Sequence, residues 1–330
     1  MNPYAGGTER ELAAAVAAWS ERLGPRIAAA EEAGKLPREL FRELADLGVL
    51  GMTVPERDGG LGAFGLTEPT SGSDAASLRG TARRDGDGWV LDGDKLFVTN
   101  ARYAPLLLAL LRVSSSGGPR GAEPPARHAG ITAFIVPLDV AGVTIGKPER
   151  KLGLLASDTS AVTLDGVHVG ADALLGEVGK GFSIAMAGLD AGRIGIAAQA
   201  IGVARSALAL ASAYAKERRQ FGRPIADFQM VSFSIARRRT ETDAARLLAL
   251  RAAWLRDVGR PFTREASMAK LYASEAAQRA THAAIQVFGG YGYMREYSVE
   301  RAARDARATT IYEGTSEIQR LVIARSLFAA

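Results

Sequence analysis

The residues best suited to chemistry lie near the end of the 330-residue chain. Glu313 sits in Ile311-Tyr312-Glu313-Gly314-Thr315, with glycine beside it and a helix-like run after it. A carboxylate can act as a general base, and burial makes it a stronger one than a solvated acid. The plainer account is electrostatic. Ser316-x-x-Gln319 reads as a capping box, and an acidic side chain is favoured near a helix N-terminus. Upstream, Asp190 and Arg193 are spaced i, i+3 and share a helix face, the ordinary arrangement of a surface ion pair. Leu66-Thr67-Glu68-Pro69-Thr70-Ser71-Gly72-Ser73-Asp74 is dense in hydroxyls and turn residues. Its backbone donors can converge on an anion or on the polar edge of a ring.

Other chemistries are excluded or weakly supported. The chain has no cysteine, so disulfides, thiolate nucleophiles and Cys-ligated metals are ruled out. His128, His168 and His282 are far apart and form no metal-binding spacing. Net charge is +5, which reads as a solvated basic surface. Arg237-Arg238-Arg239 lies in a helical pattern without interleaved aromatics, so it reads as a helix face and not a nucleic-acid site. Gly60-Leu61-Gly62-Ala63-Phe64-Gly65 matches G-x-G-x-x-G, but Pro69 follows where a helix would have to run, so the match is accidental. Met1-Asn2-Pro3-Tyr4 carries no signal pattern, and no uninterrupted apolar run approaches the ~20 residues of a membrane span. A cytoplasmic location with no membrane partner is the expectation.

Three segments must position these residues: 1–62, 63–175 and 176–330. In the first, Glu11 to Glu32 reads as one alanine-rich helix. Pro37 opens another, with Leu40, Phe41, Leu44 and Leu47 at helical spacing, ended by Pro55 and Gly59-Gly60-Leu61-Gly62. In the second, Trp89-Val90-Leu91 and Leu96-Phe97-Val98-Thr99 flank Asp92-Gly93-Asp94, a hairpin signal. Val162-Thr163-Leu164 and Val167-His168-Val169 flank Asp165-Gly166, a second one. Ile131 to Val136 is another strand, and Ser114 to His128 a surface loop. The third is helical, with runs expected from Phe182 to about Arg218 and near Asp227–Val258, Thr263–Phe288 and Ser316–Leu327.

Further motifs stand in order along the chain: Asp94-Lys95-Leu96-Phe97-Val98-Thr99-Asn100, Glu217-Arg218-Arg219-Gln220-Phe221-Gly222, Gln286-Val287-Phe288-Gly289-Gly290-Tyr291-Gly292, Arg304-Asp305, and Ile311 to Arg320. With the Thr67-Glu68-Pro69 loop, they make the chain resemble the acyl-CoA dehydrogenase family over nearly its whole length. The resemblance implies an N-terminal helical domain, a middle antiparallel β-barrel or sheet, and a C-terminal four-helix bundle. It also implies FAD, contacted by both the β-domain and the bundle. The activity it implies is α,β-dehydrogenation of an acyl thioester, with Glu313 abstracting the α-proton and flavin N5 accepting the β-hydride.

Carried over residue by residue, Leu66, Thr67, Ser73, Phe97, Val98 and Thr99 are expected to line the flavin. Phe97 departs from the tryptophan common there. Arg218, Gln220, Phe221 and Gln229 resemble residues that reach the FAD of a neighbouring subunit, and a guanidinium suits a pyrophosphate. Gln286, Gly289 and Gly290 resemble another cofactor stretch, and Thr315 and Glu317 the adenosine side. On the substrate side the resemblance implies Ser73, Asp190, Arg193 and Gly314. Implied partners are an electron-transfer flavoprotein as electron acceptor and further copies of the chain, as homodimer or homotetramer.

One departure is internal. Family members usually carry two or three helices between the Gly-Gly-Leu-Gly turn and the Thr-Glu-Pro loop, and here Gly62-Ala63-Phe64 nearly joins the two. Those helices cover the flavin face and form much of the acyl pocket. Their loss leaves an open pocket for a bulky or carrier-protein-bound acyl group, a cover supplied by a partner subunit, or a protein without turnover. Two alternatives to the dehydrogenase follow: a flavin monooxygenase or oxidase on the same scaffold, which Glu313 argues against, and a non-catalytic subunit of a full-length relative.

Overall fold

A computed structural model gives the structure of the protein and describes residues 7–46, 61–113, 127 and 129–328. Leu47, Pro55, the Gly59-Gly60 pair and nearly all of the expected loop from Ser114 to His128 lie outside those residues. The chain forms two compact units. One comprises Ala5–Lys151 and Leu155–Ala187, the other Leu152–Leu154 and Gly188–Ala330.

In the first unit, α1 (Gly7–Glu21), α2 (Gly24–Ala33) and α3 (Arg38–Asp46) precede the sheet. The single helix expected over Glu11–Glu32 is in fact α1 and α2. Pro25 stands in the first turn of α2, where its missing N–H costs nothing. Inside a longer helix it would cost about 3 kcal/mol. Glu43 on α3 accepts the Trp19 indole N–H at 2.7 Å and two Arg26 N–H groups at 2.8 and 3.0 Å, tying α3 to both earlier helices.

Among the described residues the sheet has eight strands: β1 (Gly62–Gly65), β2 (Thr81–Asp85), β3 (Gly88–Thr99), β4 (Leu106–Val113), β5 (Ile131–Pro137), β6 (Val143–Ile145), β7 (Thr159–Val169) and β8 (Leu174–Leu175). Their order is β6-β7-β3-β2-β4-β5-β8, with β1 beside β4. Most pairings are antiparallel, but β1 and β2 each run parallel to β4. Gly62 to Gly65 therefore sit in a strand and open no helix, so the glycine pattern there has no dinucleotide-binding context.

Neither expected hairpin is present. Trp89-Leu91 and Leu96-Thr99 belong to one strand, β3, and Val162-Leu164 and Val167-Val169 to another, β7. The two strands pair with each other, and Asp165 and Gly166 together oppose Asp92. Gly166 has φ +59 and donates its N–H to the Asp92 carboxylate at 3.0 Å. The Asp-Gly pair thus marks a β-bulge, which needs the same left-handed glycine as a tight turn. The turn into β3 lies at Asp85–Gly88 instead. The core beneath is built on Trp89, whose ring meets Phe134 edge-on at 5.2 Å, with Leu91, Leu107, Leu111 and Leu164 around it.

The second unit holds α4 (Gly181–Glu217) from Gly188 onward, α5 (Gln229–Asp257), α6 (Thr263–Phe288), α7 (Val299–Ala308) and α8 (Ser316–Phe328). A two-stranded ribbon, β9 (Arg219–Gln220) and β10 (Arg223–Pro224), joins α4 to α5. The sequence reading missed α7, on which only Val299 and Ala306 are buried. The core between α4, α5 and α6 is mostly alanine: Ala197, Ala200, Ala204, Ala245, Ala249, Ala269, Ala273 and Ala277 are buried together. Small side chains let helix backbones approach closely, so any polar group between them must be paired. By length and composition α4 could cross a bilayer, but it carries Asp190 and Arg193, and its alanines are core. The Arg237-Arg238-Arg239 run lies on α5. Arg237 and Arg238 pair with Glu241, and Arg239 with Asp243, as expected of a helix face.

Candidate active site

Glu313 lies in the short link from α7 to α8. Glu313 and Gly314 have φ of +53 and +89, both left-handed. For a glutamate this conformation costs on the order of 1–3 kcal/mol and persists only where surrounding contacts impose it. Those contacts are present. The Gly314 carbonyl accepts N–H groups from Lys270 Nζ at 2.7 Å and Gln319 Nε2 at 2.8 Å, and Gln319 Nε2 also donates to the Glu313 carbonyl at 3.1 Å. Gln319 is thereby drawn away from the capping box expected of it. The Thr315 hydroxyl accepts the Ile318 N–H at 3.4 Å instead. The buried Ser316 hydroxyl finds no partner among the described residues.

The Glu313 carboxylate rests against α4 at Gly192. A Cβ on that glycine would fall 2.5 Å from Glu313 Oε2. Next to it, Arg193 is 4% exposed, bonded to Asp190 at 2.6 Å and to the Ser267 hydroxyl at 3.3 Å. Asp190 also accepts the Thr263 hydroxyl at 2.5 Å. The pair is therefore an interior network, not the surface ion pair its spacing allowed, and Arg193 Nε keeps no partner among the described residues. Burial pushes the Glu313 carboxyl above the usual range, while Arg193 and Lys270 pull it back. Burial, then repulsion from Arg193, brings the Lys270 ammonium down to about 8. Burial lifts the Tyr312 phenol to about 12, and its hydroxyl donates to Gln199.

Gly192, Lys270 and Gln199 were missed by sequence reasoning, and Gln319 was read only as part of a capping box. A signal existed for two of them. Gly192 interrupts a helix pattern where alanine would be about 1 kcal/mol better. Lys270 falls on the apolar stripe of Ala266, Ala269, Ala273 and Ala277.

Residues expected at the cofactor separate into groups. In the second unit, Arg218, Gln220, Gly289 and Gly290 line one groove of about 570 Å³ with Tyr214, Phe288 and Tyr291. The Arg218 guanidinium lies over the Tyr291 ring at 5.6 Å. Gly289 has φ +60 and ψ −136, a conformation open essentially to glycine alone, and a side chain there or at Gly290 would meet open space. Phe221 and Gly222, φ +50 and +80, form the β9–β10 turn and leave Phe221 92% exposed. Phe221, Gln229 and Gln286 are exposed outside the groove lining. Thr315 and Glu317 line a different groove of about 440 Å³ with Arg279, Arg307 and Arg320.

In the first unit, Phe97 has φ +56 and the residue is 63% exposed; Thr99 is also exposed, and Thr67 half-buried. Val98 is wholly in the core, so it can offer a ligand only its backbone. Leu66 is buried and Ser73 exposed. The loop carrying these residues is anchored from below. Buried Glu68 accepts the Lys95 ammonium at 2.6 Å and the Gly80 N–H at 2.9 Å, and the Thr67 carbonyl accepts the Leu96 N–H at 2.9 Å. In the first unit an exposed flat ring beside polar backbone suits a flavin ring, and in the second a groove with arginine and open glycines suits the phosphates of a dinucleotide. Among the described residues no His/Cys/Asp/Glu cluster suits a metal ion.

Three family models cover this chain in sequence: the acyl-CoA dehydrogenase N-terminal domain at residues 7–70, the middle domain at 63–167 and the C-terminal domain at 179–328. The chain belongs to the acyl-CoA dehydrogenase family. Members are FAD-dependent oxidoreductases acting on CH–CH groups, and the chain is an enzyme of that class. It is 39% identical to a probable acyl-CoA dehydrogenase, YngJ, of Bacillus subtilis, over 93% of this chain and 94% of that one. That alignment runs over 365 positions, more than the 330 residues here, so the relative carries a stretch without counterpart in this chain. The structure of butyryl-CoA dehydrogenase from Megasphaera elsdenii is 35% identical, with a TM-score of 0.91, over 99% of this chain and all of that one. A glutaryl-CoA dehydrogenase from Mycobacterium smegmatis, solved with FADH2, is 28% identical, with a TM-score of 0.89, over 100% and 97%.

Proposed function

We propose that the protein dehydrogenates a short-chain acyl-CoA between Cα and Cβ, with Glu313 as the base for the α-proton. The observation that carries this is the Glu313 turn: a left-handed glutamate, partly buried, held at Gly192 between Arg193 and Lys270. An α-proton is weakly acidic, so a raised carboxyl makes a better-matched base than a solvated one. The Glu313 N–H donates to the thioester carbonyl and stabilises the developing enolate, as an oxyanion hole does. FAD, when bound, supplies the acceptor for the β-hydride. Gly314 leaves room for the substrate, Ser73 touches both ligands, and Asp190 and Arg193 fix the field around the thioester.

The remaining assignments belong to the same reading. Leu66, Thr67, Ser73, Phe97, Thr99 and the Val98 backbone line the flavin. Arg218, Gln220, Phe221 and Gln229 serve the FAD of a neighbouring copy, Gln286, Gly289 and Gly290 form another stretch at the cofactor, and Thr315 and Glu317 meet the adenosine side. That sharing requires a homodimer or homotetramer. The division 1–62, 63–175 and 176–330 is supported by the three family models, the short chain by the butyryl-CoA relative. The electron acceptor is an electron-transfer flavoprotein and the location cytoplasmic. Glu313 and the fitting cofactor residues weigh against a monooxygenase or a non-catalytic subunit.

The test is a flavin spectrum of the purified protein, followed by anaerobic addition of acyl-CoAs of increasing length. A yellow protein bleached fastest by butyryl-CoA is expected. A colourless protein that cannot be reconstituted with FAD would sink the proposal. Two variants sharpen it. Gly192→Ala places a methyl where the Glu313 carboxylate lies. The helix gains alanine's propensity, so the melting temperature holds, while bleaching slows about 100-fold through misplacement of the base. Arg218→Ala should weaken FAD binding to the apoprotein by roughly 10–100-fold, the loss of a charge-assisted bond worth about 1.5–3 kcal/mol.

A further inference from the structure

Lys270 is a lysine wholly buried among alanines on α6, and no step of the reaction uses it. Burying an ammonium is expensive unless its donors and its charge are answered. It donates to the Gly314 carbonyl at 2.7 Å, on the residue next to the base. Its charge is answered by Glu313 on the same turn and by Glu317 on α8, and opposed by Arg193 on α4, which is itself paired with Asp190. Gln319 from α8 meets the same carbonyl at 2.8 Å. The two side chains converge on a carbonyl whose direction is fixed by consecutive left-handed residues, a conformation that glutamate does not adopt unaided.

We propose that Lys270 is a positioning residue for the dehydrogenation: its ammonium holds the Glu313-Gly314 turn by the Gly314 carbonyl and supplies the second positive charge facing the Glu313 carboxylate. The inference rests on the reading of Glu313 as base. It divides Lys270 into two separable roles. The hydrogen bond sets where the carboxylate stands. The charge sets the pH at which it is ionised, since a cation nearby favours the carboxylate. Among the described residues, Arg193 and Lys270 pull the Glu313 carboxyl down against burial. Burial brings the Lys270 ammonium down only to about 8, so its charge is present at pH values below that.

The holoenzyme variants Lys270→Met, Lys270→Gln and Gln319→Met are to be compared with the parent. The rate of flavin bleaching by butyryl-CoA is measured against pH, and butyryl-CoA affinity is taken from the flavin spectrum. Lys270→Met removes both bond and charge. It should slow bleaching about 10–100-fold and move the acid limb of the profile up by about one pH unit. Lys270→Gln keeps an amide donor without charge and should recover part of the rate while the limb stays displaced. Gln319→Met keeps the charge and should slow the reaction without moving the limb. Methionine nearly matches lysine in shape and relieves a buried charge, so folding is expected. Should it fail, the limb in Lys270→Gln decides alone. An unmoved limb in the charge-free variants overturns the proposal. If Glu313→Gln still bleaches, the reading of the base falls first, and the role of Lys270 falls with it.

Discussion

Glu313→Gln should bind FAD and butyryl-CoA normally and fail to bleach. Glutamine keeps the side-chain length and the backbone turn, so the bonds from Lys270 and Gln319 to the backbone carbonyls of Glu313 and Gly314 are undisturbed. Only the proton acceptor goes. Positioned bases typically contribute about 10²–10⁴-fold, and with an acid as weak as an α-proton the upper end is expected. Stopped-flow bleaching without oxygen measures it, and a loss below about tenfold would remove Glu313 from the mechanism. The parent's own profile carries a sign. Because burial holds the Glu313 carboxyl above the ordinary range, the base is ionised only at higher pH. The rate should therefore fall with decreasing pH at a point above the usual ~4.3 of a glutamate. In Glu313→Gln the residual rate should show no such limb.

The largest effect on stability is expected at Lys95→Met. Lys95 and Glu68 form an ion pair buried on both sides, 0% and 3% exposed. The Lys95 ammonium also donates to the Leu110 carbonyl at 2.5 Å, and Glu68 accepts two backbone N–H groups, those of Arg79 and Gly80. Removing the ammonium strands a carboxylate in the core. Breaking one side of such a pair costs about 3–5 kcal/mol, which lowers the melting temperature by roughly 10 °C for a unit of this size. The double variant Lys95→Met/Glu68→Gln removes the stranded charge and should recover much of the loss. A double variant no better than Lys95→Met alone would show that the pair is not what anchors the sheet. Because Glu68 ties the loop of Thr67 and Ser73 to β3, Lys95→Met should also release FAD more readily than the parent.

The four long helices and the residues of the Glu313 turn were legible in the sequence because each rests on local information. Periodicity places α4, α5, α6 and α8 within a few residues of their expected ends, since amphipathic packing repeats with the helix itself. Asp92-Gly93 and Asp165-Gly166 read as turns in the sequence and are features of the β3–β7 pairing, because a left-handed glycine serves a bulge and a hairpin equally well. The α1–α2 break was signalled by Pro25 and outweighed by the alanine run around it.

What the sequence alone determined is the inventory: no thiol, no metal spacing, a glutamate beside a glycine ahead of a helix, and the motifs that carry the family. What only the tertiary structure decided is the environment of that glutamate. Gly192 lies 121 residues from Glu313 and Lys270 lies 43 before it, and neither spacing follows from any local rule. Packing brings them together. A helix glycine makes space for the carboxylate, and a buried ammonium and an amide hold the turn from beneath. The reason is physical. Conformational preference and charge are properties of a residue, but desolvation, and with it the proton affinity of Glu313, belongs only to the place where the chain has put it.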